Sequence, residues 1–250
     1  RLIECLGNVE YIFTEDTRKT KILLDKYKIQ SNLISLEKYN EGQRVQRLKS
    51  ILNSGQNVAL VSEAGTPNIA DPGAYVISRL LEDNFKVIPI PGPSAITAHI
   101  SVSGILANRF IFLGFFPKKK GEADNFIAKA IHLEIPILFY ETSKRIIESL
   151  DWLNQNYSIE KISLAKEMTK IHETYLQGTY EEVVAQLSEI KIKGEWSVFI
   201  QLSFSEQNKL DINKTIEYLK KLGLNNKQII DIGKNIYKLS KNDIYKLLIS

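Results

Sequence analysis

Short apolar runs alternate along this chain with longer segments whose apolar residues recur at helical spacing. Residues 11–14, 33–36, 58–61 and 87–90 read as strands. Between them, Ile22, Leu23, Leu24 and Tyr27, then Val45, Leu48, Ile51 and Leu52, then Tyr75, Val76, Leu80 and Leu81 mark helices. Residues 1–6 read as the end of a helix stopped by Gly7. The alternation runs to Ala107 and predicts a mostly parallel sheet covered by helices. Beyond Asn108 the pattern changes. Strands are expected at 110–116, 137–140, 162–165, 173–178 and 196–202, with helices at 124–133, 145–153 and 180–187. That is a second α/β domain with a mixed sheet. After a polar linker at 203–208, three short helices follow. The first is stopped by Gly223, the second is capped by Asn225 or Asn226, and Ser240 with Asp243 starts the third. The expected organisation is therefore α/β in two domains, 1–107 and 108–205, with a helical tail at 209–250.

Composition narrows the class. Hydrophobic content of 44% and charged content of 25% over 250 residues are those of a globular protein. No apolar run is long enough to span a bilayer. The single cysteine, Cys5, excludes a disulfide framework and fits a reducing cytoplasm. His99, His132 and His172 stand far apart and have no second ligand at metal spacing, so no metal is expected. Net charge is only +4, but the tail from Lys209 carries nine lysines against four acids. The basic excess lies there, as a polyanionic partner would require and as a solvated helix surface would also show.

Candidate chemistry sits at strand ends. The stretch 62–73, SEAGTPNIADPG, follows the 58–61 strand and precedes a helix. In open α/β sheets ligands bind at that end. Gly65 and Gly73 allow backbone conformations closed to other residues, Pro67 and Pro72 stiffen the loop, and Asp71 is placed to cap the next helix. The 87–90 strand opens into a second loop of this kind, Pro91-Gly92-Pro93-Ser94. The two loops would wall one pocket. Neither matches a dinucleotide fingerprint or a P-loop. Glu15, Asp16 and Arg18 follow the first strand, as reactive groups or as an ordinary helix start. Lys166 and Glu167 end a strand of the second half.

Taken together, SEAGTPNIADPG, PGPSA, EDTR, FYET with Arg145, AKEMTK and KGE resemble the tetrapyrrole-methylase superfamily of S-adenosylmethionine-dependent methyltransferases. More narrowly, they resemble its branch that methylates the ribose 2′-oxygen of a cytidine in the decoding region of 16S rRNA. The resemblance covers nearly the whole chain, tail included. It implies two α/β domains with a cofactor cleft between them and a small C-terminal helical domain. Ser62, Ala64, Gly65, Asp71, Gly73, Pro91, Gly92, Ser94, Tyr140, Glu141, Lys193, Gly194 and Glu195 would bind S-adenosylmethionine. It also implies a homodimer acting on 16S rRNA in the small ribosomal subunit. Glu15, Asp16, Arg18, Lys166 and Glu167 are the candidates for assisting a weak hydroxyl nucleophile. Lys118, Lys119, Lys120, Lys220, Lys221, Lys227 and Lys234 could hold phosphate backbone.

Position 63 is Glu where the family usually has Asp. The family's first strand and glycine-containing loop are expected ahead of Arg1. Their lack here is the one support for a rival reading, a catalytically inactive cofactor-binding module. The other rival is a methyltransferase of the same superfamily acting on a tetrapyrrole or a protein side chain. The basic tail argues against it.

Overall fold

The computed structural model describes residues 1–203, 212–237 and 240–249. The first sheet is parallel, with β1 (Tyr11–Thr14) between β2 (Asn32–Ser35) and β3 (Val58–Val61). Successive residues of β1 bury opposite faces, which is why its apolar run is continuous rather than alternating. Ile12 joins Leu6 of α1 (Leu2–Gly7) and Leu24 of α2 (Thr17–Lys26) on one side. Phe13 joins Val45 and Leu48 of α3 (Glu41–Asn53), and Val76 and Leu80 of α4 (Ala74–Glu82), on the other.

The expected fourth strand is not part of this sheet. Residues 87–90 join no ladder, and Val87 and Ile88 are exposed. Pro89 and Pro91 have no N–H to offer, so the segment can satisfy few ladder positions. The outer edge of β3 pairs with no strand among the described residues.

The second sheet is mixed, in the order β4-β5-β8-β6-β7. Its strands are β4 (Ile111–Phe115), β5 (Ile137–Thr142), β6 (Ile159–Lys166), β7 (Thr174–Gly178) and β8 (Glu195–Leu202); only β4 and β5 run parallel. One face packs on α6 (Lys120–Leu133), α7 (Ile146–Asn156) and α8 (Tyr180–Ser188) around Phe139, Leu150, Leu164, Trp196 and Val198. Helix α6 starts four residues earlier than its apolar spacing shows, so Lys120 leaves the basic loop for the helix. The other face receives α5 (Ala95–Val102), whose Ile96 and Ile100 pack with Leu138 and Phe199. Helix α5 lies within the span read as the first domain, yet the chain has already crossed to the second sheet.

His99 of α5 is fully buried there, with Nδ1 2.7 Å from Ser197 Oγ and Nε2 3.0 Å from Ser163 Oγ. Burial alone lowers its pKa from 6.5 to about 4. The imidazole is therefore neutral in the fold and takes a proton more readily once unfolded. Its contribution to stability is complete above pH 6.5 and is lost as pH falls toward 4. The gap corresponds to about 3 kcal/mol. In urea titrations between pH 7 and pH 4.5, the wild type should lose more stability than His99→Phe. Parallel losses in the two proteins would contradict this.

The tail helices α9 (Ile212–Lys221), α10 (Asn226–Tyr237) and α11 (Lys241–Ile249) enclose a core of their own: Ile216, Ile229, Ile230, Ile244 and Leu248. Asn225 is the cap of α10: its Oδ1 accepts from Gln228 N at 3.0 Å, and Gln228 Oε1 accepts from Asn225 N at 2.9 Å. Ser240 Oγ accepts from Asp243 N at 3.2 Å, the start expected for α11.

Candidate active site between the two sheets

The loop after β3 is held from outside. Buried Glu41, at the start of α3, accepts hydrogen bonds from Gly73 N at 3.2 Å and Val76 N at 3.4 Å. These are free donors at the start of α4, so Glu41 performs the capping expected of Asp71. Gly73 has φ 124°, and a Cβ there would collide with Asn68 Oδ1 and lie 2.8 Å from Leu60 Cδ2. Glycine is required at this corner.

Asp71 itself makes no cap bond to α4. It is half-buried, and burial is the main cause raising its pKa; the Ser62 hydroxyl and Lys38 oppose the shift, while Glu195 and Glu63 add to it. The second loop meets the first where Thr66 Oγ1 donates to Pro93 O at 3.1 Å. The two loops therefore touch, although the strand expected beneath the second is absent. Ala64, Gly65, Pro91 and Gly92 are exposed along it, and Ser94 stands at the N-cap of α5 with no cap bond from its side chain.

Within EDTR the two readings separate by residue. Asp16 is the cap of α2, accepting from Arg18 N at 2.9 Å and from Arg18 Nη2 at 3.0 Å, which holds its pKa down at about 2. Arg18 is otherwise in solvent. Glu15 accepts no hydrogen bond from the described residues. Burial, then the charges of Asp71, Glu63 and Glu37, raise its pKa, with Lys19 opposing. Lys19 is engaged with Glu63.

The far wall comes from the second sheet. Tyr140, Ser197 and Ala165 are aligned across β5, β8 and β6, on the face that α5 covers. Burial raises the Tyr140 pKa, and the charges of Asp71 and Glu195 raise it further. Gly194 O accepts from Ser143 N at 3.1 Å and Ser143 Oγ at 2.5 Å, tying the exposed Lys193-Gly194-Glu195 turn to the end of β5. Glu167 packs against Gly194 and pairs with Lys170 at 3.1 Å.

Two candidates fall on the wrong face. Glu141, Trp196 and Lys166 form the neighbouring aligned row, and alternation turns that row toward the α7 side. Glu141 is fully buried, bonded to Ser149 Oγ at 2.7 Å and paired with Arg145 at 3.4 Å. The Lys166 amine lies 5.2 Å from the Trp196 ring centroid and donates to Lys191 O at 3.2 Å. Neither side chain reaches the cleft. Lys118, Lys119 and Lys120 are exposed at the start of α6, and Lys221, Lys227 and Lys234 are exposed on the tail. Lys220 instead spends a hydrogen bond on Leu248 O at 3.1 Å, at the end of α11. Sequence reading missed Glu37, Glu41 and His99. Only Glu41, an acid at a helix start, carried a local signal.

Two Gly/Pro loops with Asp71, Glu63 and Glu15 on their own side, and Tyr140 and Glu195 on the second sheet, go with the class that the sequence match gives: the chain belongs to the Tetrapyrrole (Corrin/Porphyrin) Methylases, whose family model matches residues 1–184. It is an S-adenosylmethionine-dependent methyltransferase. Among individual proteins, it is 34% identical over 254 residues to the Neisseria meningitidis serogroup B protein named Ribosomal RNA small subunit methyltransferase I, covering 100% of this chain and 87% of that one. The Synechocystis protein of the same name is 35% identical, with 99% and 90% covered. That of Buchnera aphidicola subsp. Schizaphis graminum is 36% identical, with 98% and 88% covered. Solved structures share the fold at lower identity. Diphthine synthase aligns with TM-score 0.63 at 15% identity, over 80% of this chain and 82% of its own. The methyltransferase CobJ aligns with TM-score 0.59 at 15% identity, over 80% and 86%.

The cleft suits this cofactor on its own chemistry. Asp71, Glu195 and Glu15 supply carboxylates that no lysine or arginine pairs with among the described residues, which suits a ligand with a sulfonium and an ammonium, and the exposed Gly92 backbone leaves room beside it.

Proposed function

We propose that the protein methylates the ribose 2′-oxygen of a cytidine in the decoding region of 16S rRNA, within the small ribosomal subunit. The observation that carries this reading is likeness over the full chain, tail included, to relatives named for the small-subunit RNA. S-adenosylmethionine supplies an already activated methyl group. The protein's work is to hold the hydroxyl in line and favour loss of its proton. Ser62, Ala64, Gly65, Asp71, Gly73, Pro91, Gly92, Ser94, Tyr140, Lys193, Gly194 and Glu195 are assigned to the cofactor. Glu15 is assigned to the hydroxyl, because it is the EDTR carboxylate free of hydrogen bonds and its raised pKa suits a base. The homodimer belongs to the same proposal.

Labelled cofactor offered with small subunits, with free 16S rRNA and with a corrinoid precursor tests the assignment. Label in the RNA ribose supports it, and label in the corrinoid overturns it. Glu15→Gln should lower kcat by about 100-fold with cofactor affinity unchanged. Asp16→Ala should lower stability instead, as loss of a helix cap does, with turnover of the folded protein unchanged. Equal turnover in wild type and Glu15→Gln would remove Glu15 from the chemistry.

The tail is assigned to RNA backbone through Lys221, Lys227 and Lys234, with Lys118, Lys119 and Lys120 on the second domain. A chain ending at residue 203 should bind small subunits more weakly, with a shallower salt dependence and unchanged cofactor affinity. Each lost phosphate contact removes about 0.7–0.9 from the log–log salt slope. Weaker binding with an unchanged slope would point to an indirect role for the tail, and unchanged binding would leave its lysines a solvated surface.

A further inference from the structure

His99 has no part in the chemistry above, yet it occupies a built polar site. Helix α5 begins directly after Pro91-Gly92-Pro93-Ser94, so whatever fixes the helix fixes that loop. The helix is held at its far end by Gln177 Nε2 on Val102 O at 2.6 Å and Lys161 Nζ on Gly104 O at 2.8 Å. At its middle the imidazole is bonded to a serine on each of two central strands, β8 and β6. One of them, Ser197, is the register partner of Tyr140 and lies two residues from Glu195, on the same face. The imidazole therefore lies on the face of the second sheet that carries Tyr140 and Glu195, beside the cleft's second wall.

An apolar side chain would fill this space and pack on Phe199, whose ring centroid is 6.3 Å away, without the cost of burying an imidazole and two hydroxyls. What the polar trio adds is direction. Apolar contacts tolerate a helix sliding along a sheet, whereas two hydrogen bonds from one ring to two strands fix its register. We infer that His99 is a positioning residue, pinning α5 in register through Ser197 and Ser163 so that the Pro91–Ser94 loop stands opposite Asp71 and Tyr140 at the separation the cofactor needs. The inference rests on assigning that loop to the cofactor.

Replacing His99 with Phe keeps a flat aromatic ring, one atom larger, and removes both bonds. S-adenosylmethionine affinity of the folded His99→Phe protein, measured by calorimetry, should fall by about tenfold. The cofactor KM should rise in step, with kcat at saturating cofactor within about a factor of two, because the register is restored once the ligand is bound. His99→Gln, which can still donate and accept, should recover part of the affinity. If His99→Phe does not fold, Ser197→Ala removes one bond and should show the same split at smaller size. A space-filling role would lower the melting temperature and leave affinity within about a factor of two, and that result overturns the inference. The loop assignment fails separately. If Gly92→Val also leaves affinity unchanged, the loop is not at the cofactor. If Gly92→Val abolishes binding while His99→Phe does not alter it, only the role of His99 is lost.

Discussion

Gly92→Val is expected to abolish cofactor binding in a protein that folds normally. The fold does not require glycine at this position. A Cβ built on Gly92 has only Ile90 O near it, at 3.9 Å, and the backbone is in a conformation open to any residue. The added methyls would instead occupy open space at the loop assigned to the cofactor, which Thr66 ties to its neighbour through Pro93 O. Affinity should drop by at least about 100-fold, some 2.7 kcal/mol, while unfolding stability changes by about 0.5 kcal/mol or less. Gly73→Val is the contrasting control, because its side chain meets Asn68 and Leu60 within the protein and should cost stability first. Calorimetric titration giving wild-type affinity for a folded Gly92→Val protein would remove this loop from the site.

The largest loss of stability is expected from Arg145→Met. Glu141 is fully buried, and Arg145 is its only cationic partner among the described residues. The same guanidinium donates to Phe116 O at 3.2 Å and Pro117 O at 3.0 Å, so it also ties the end of β4 to α7. Removing it leaves a carboxylate in the core with Ser149 Oγ and Thr142 N, at 2.7 Å each, and Thr142 Oγ1, at 3.4 Å, to satisfy it without any cation. Breaking one side of a buried pair costs about 3–5 kcal/mol. For a chain of this size that lowers the melting temperature by about 10 °C. Adding Glu141→Gln should recover much of the loss, because the stranded charge is then gone. A melting temperature near that of wild type for Arg145→Met alone would mean the pair contributes nothing.

Patterning carried most of the architecture, for a physical reason. Strands such as β1 and β5 are buried on both faces or pack against helices, and both conditions leave an apolar run that helical spacing cannot mimic. The segment 87–90 has the same run but forms no ladder, because backbone donors and a neighbouring edge decide pairing and apolarity does not. The two loops were legible from Gly and Pro, whose conformational effects are local. Choosing between Tyr140 and Glu141 needed only the alternation of a strand, which allows one of two neighbours to face the cleft; the same count turns Lys166 away. The capping role of Glu41 and the docking of α5 on Ser163 and Ser197 depend on partners 32 to 98 residues distant. No local window contains them.

Strand β8 is the last strand of the second sheet in sequence and its middle strand in space, between β5 and β6. A ribosome therefore releases β5, β6 and β7 before the piece that joins them exists. Until residue 202 has emerged, β5 and β6 each present an open edge, and the sheet cannot close. Glu195, at the start of that strand, arrives with it, so the second wall of the cleft forms in the same event that completes the sheet. The tail follows with its own small core and can fold as soon as it is released. During synthesis the nascent chain is most exposed to aggregation just before the cleft forms, and a transcript cut short there yields a protein with two unpaired edges.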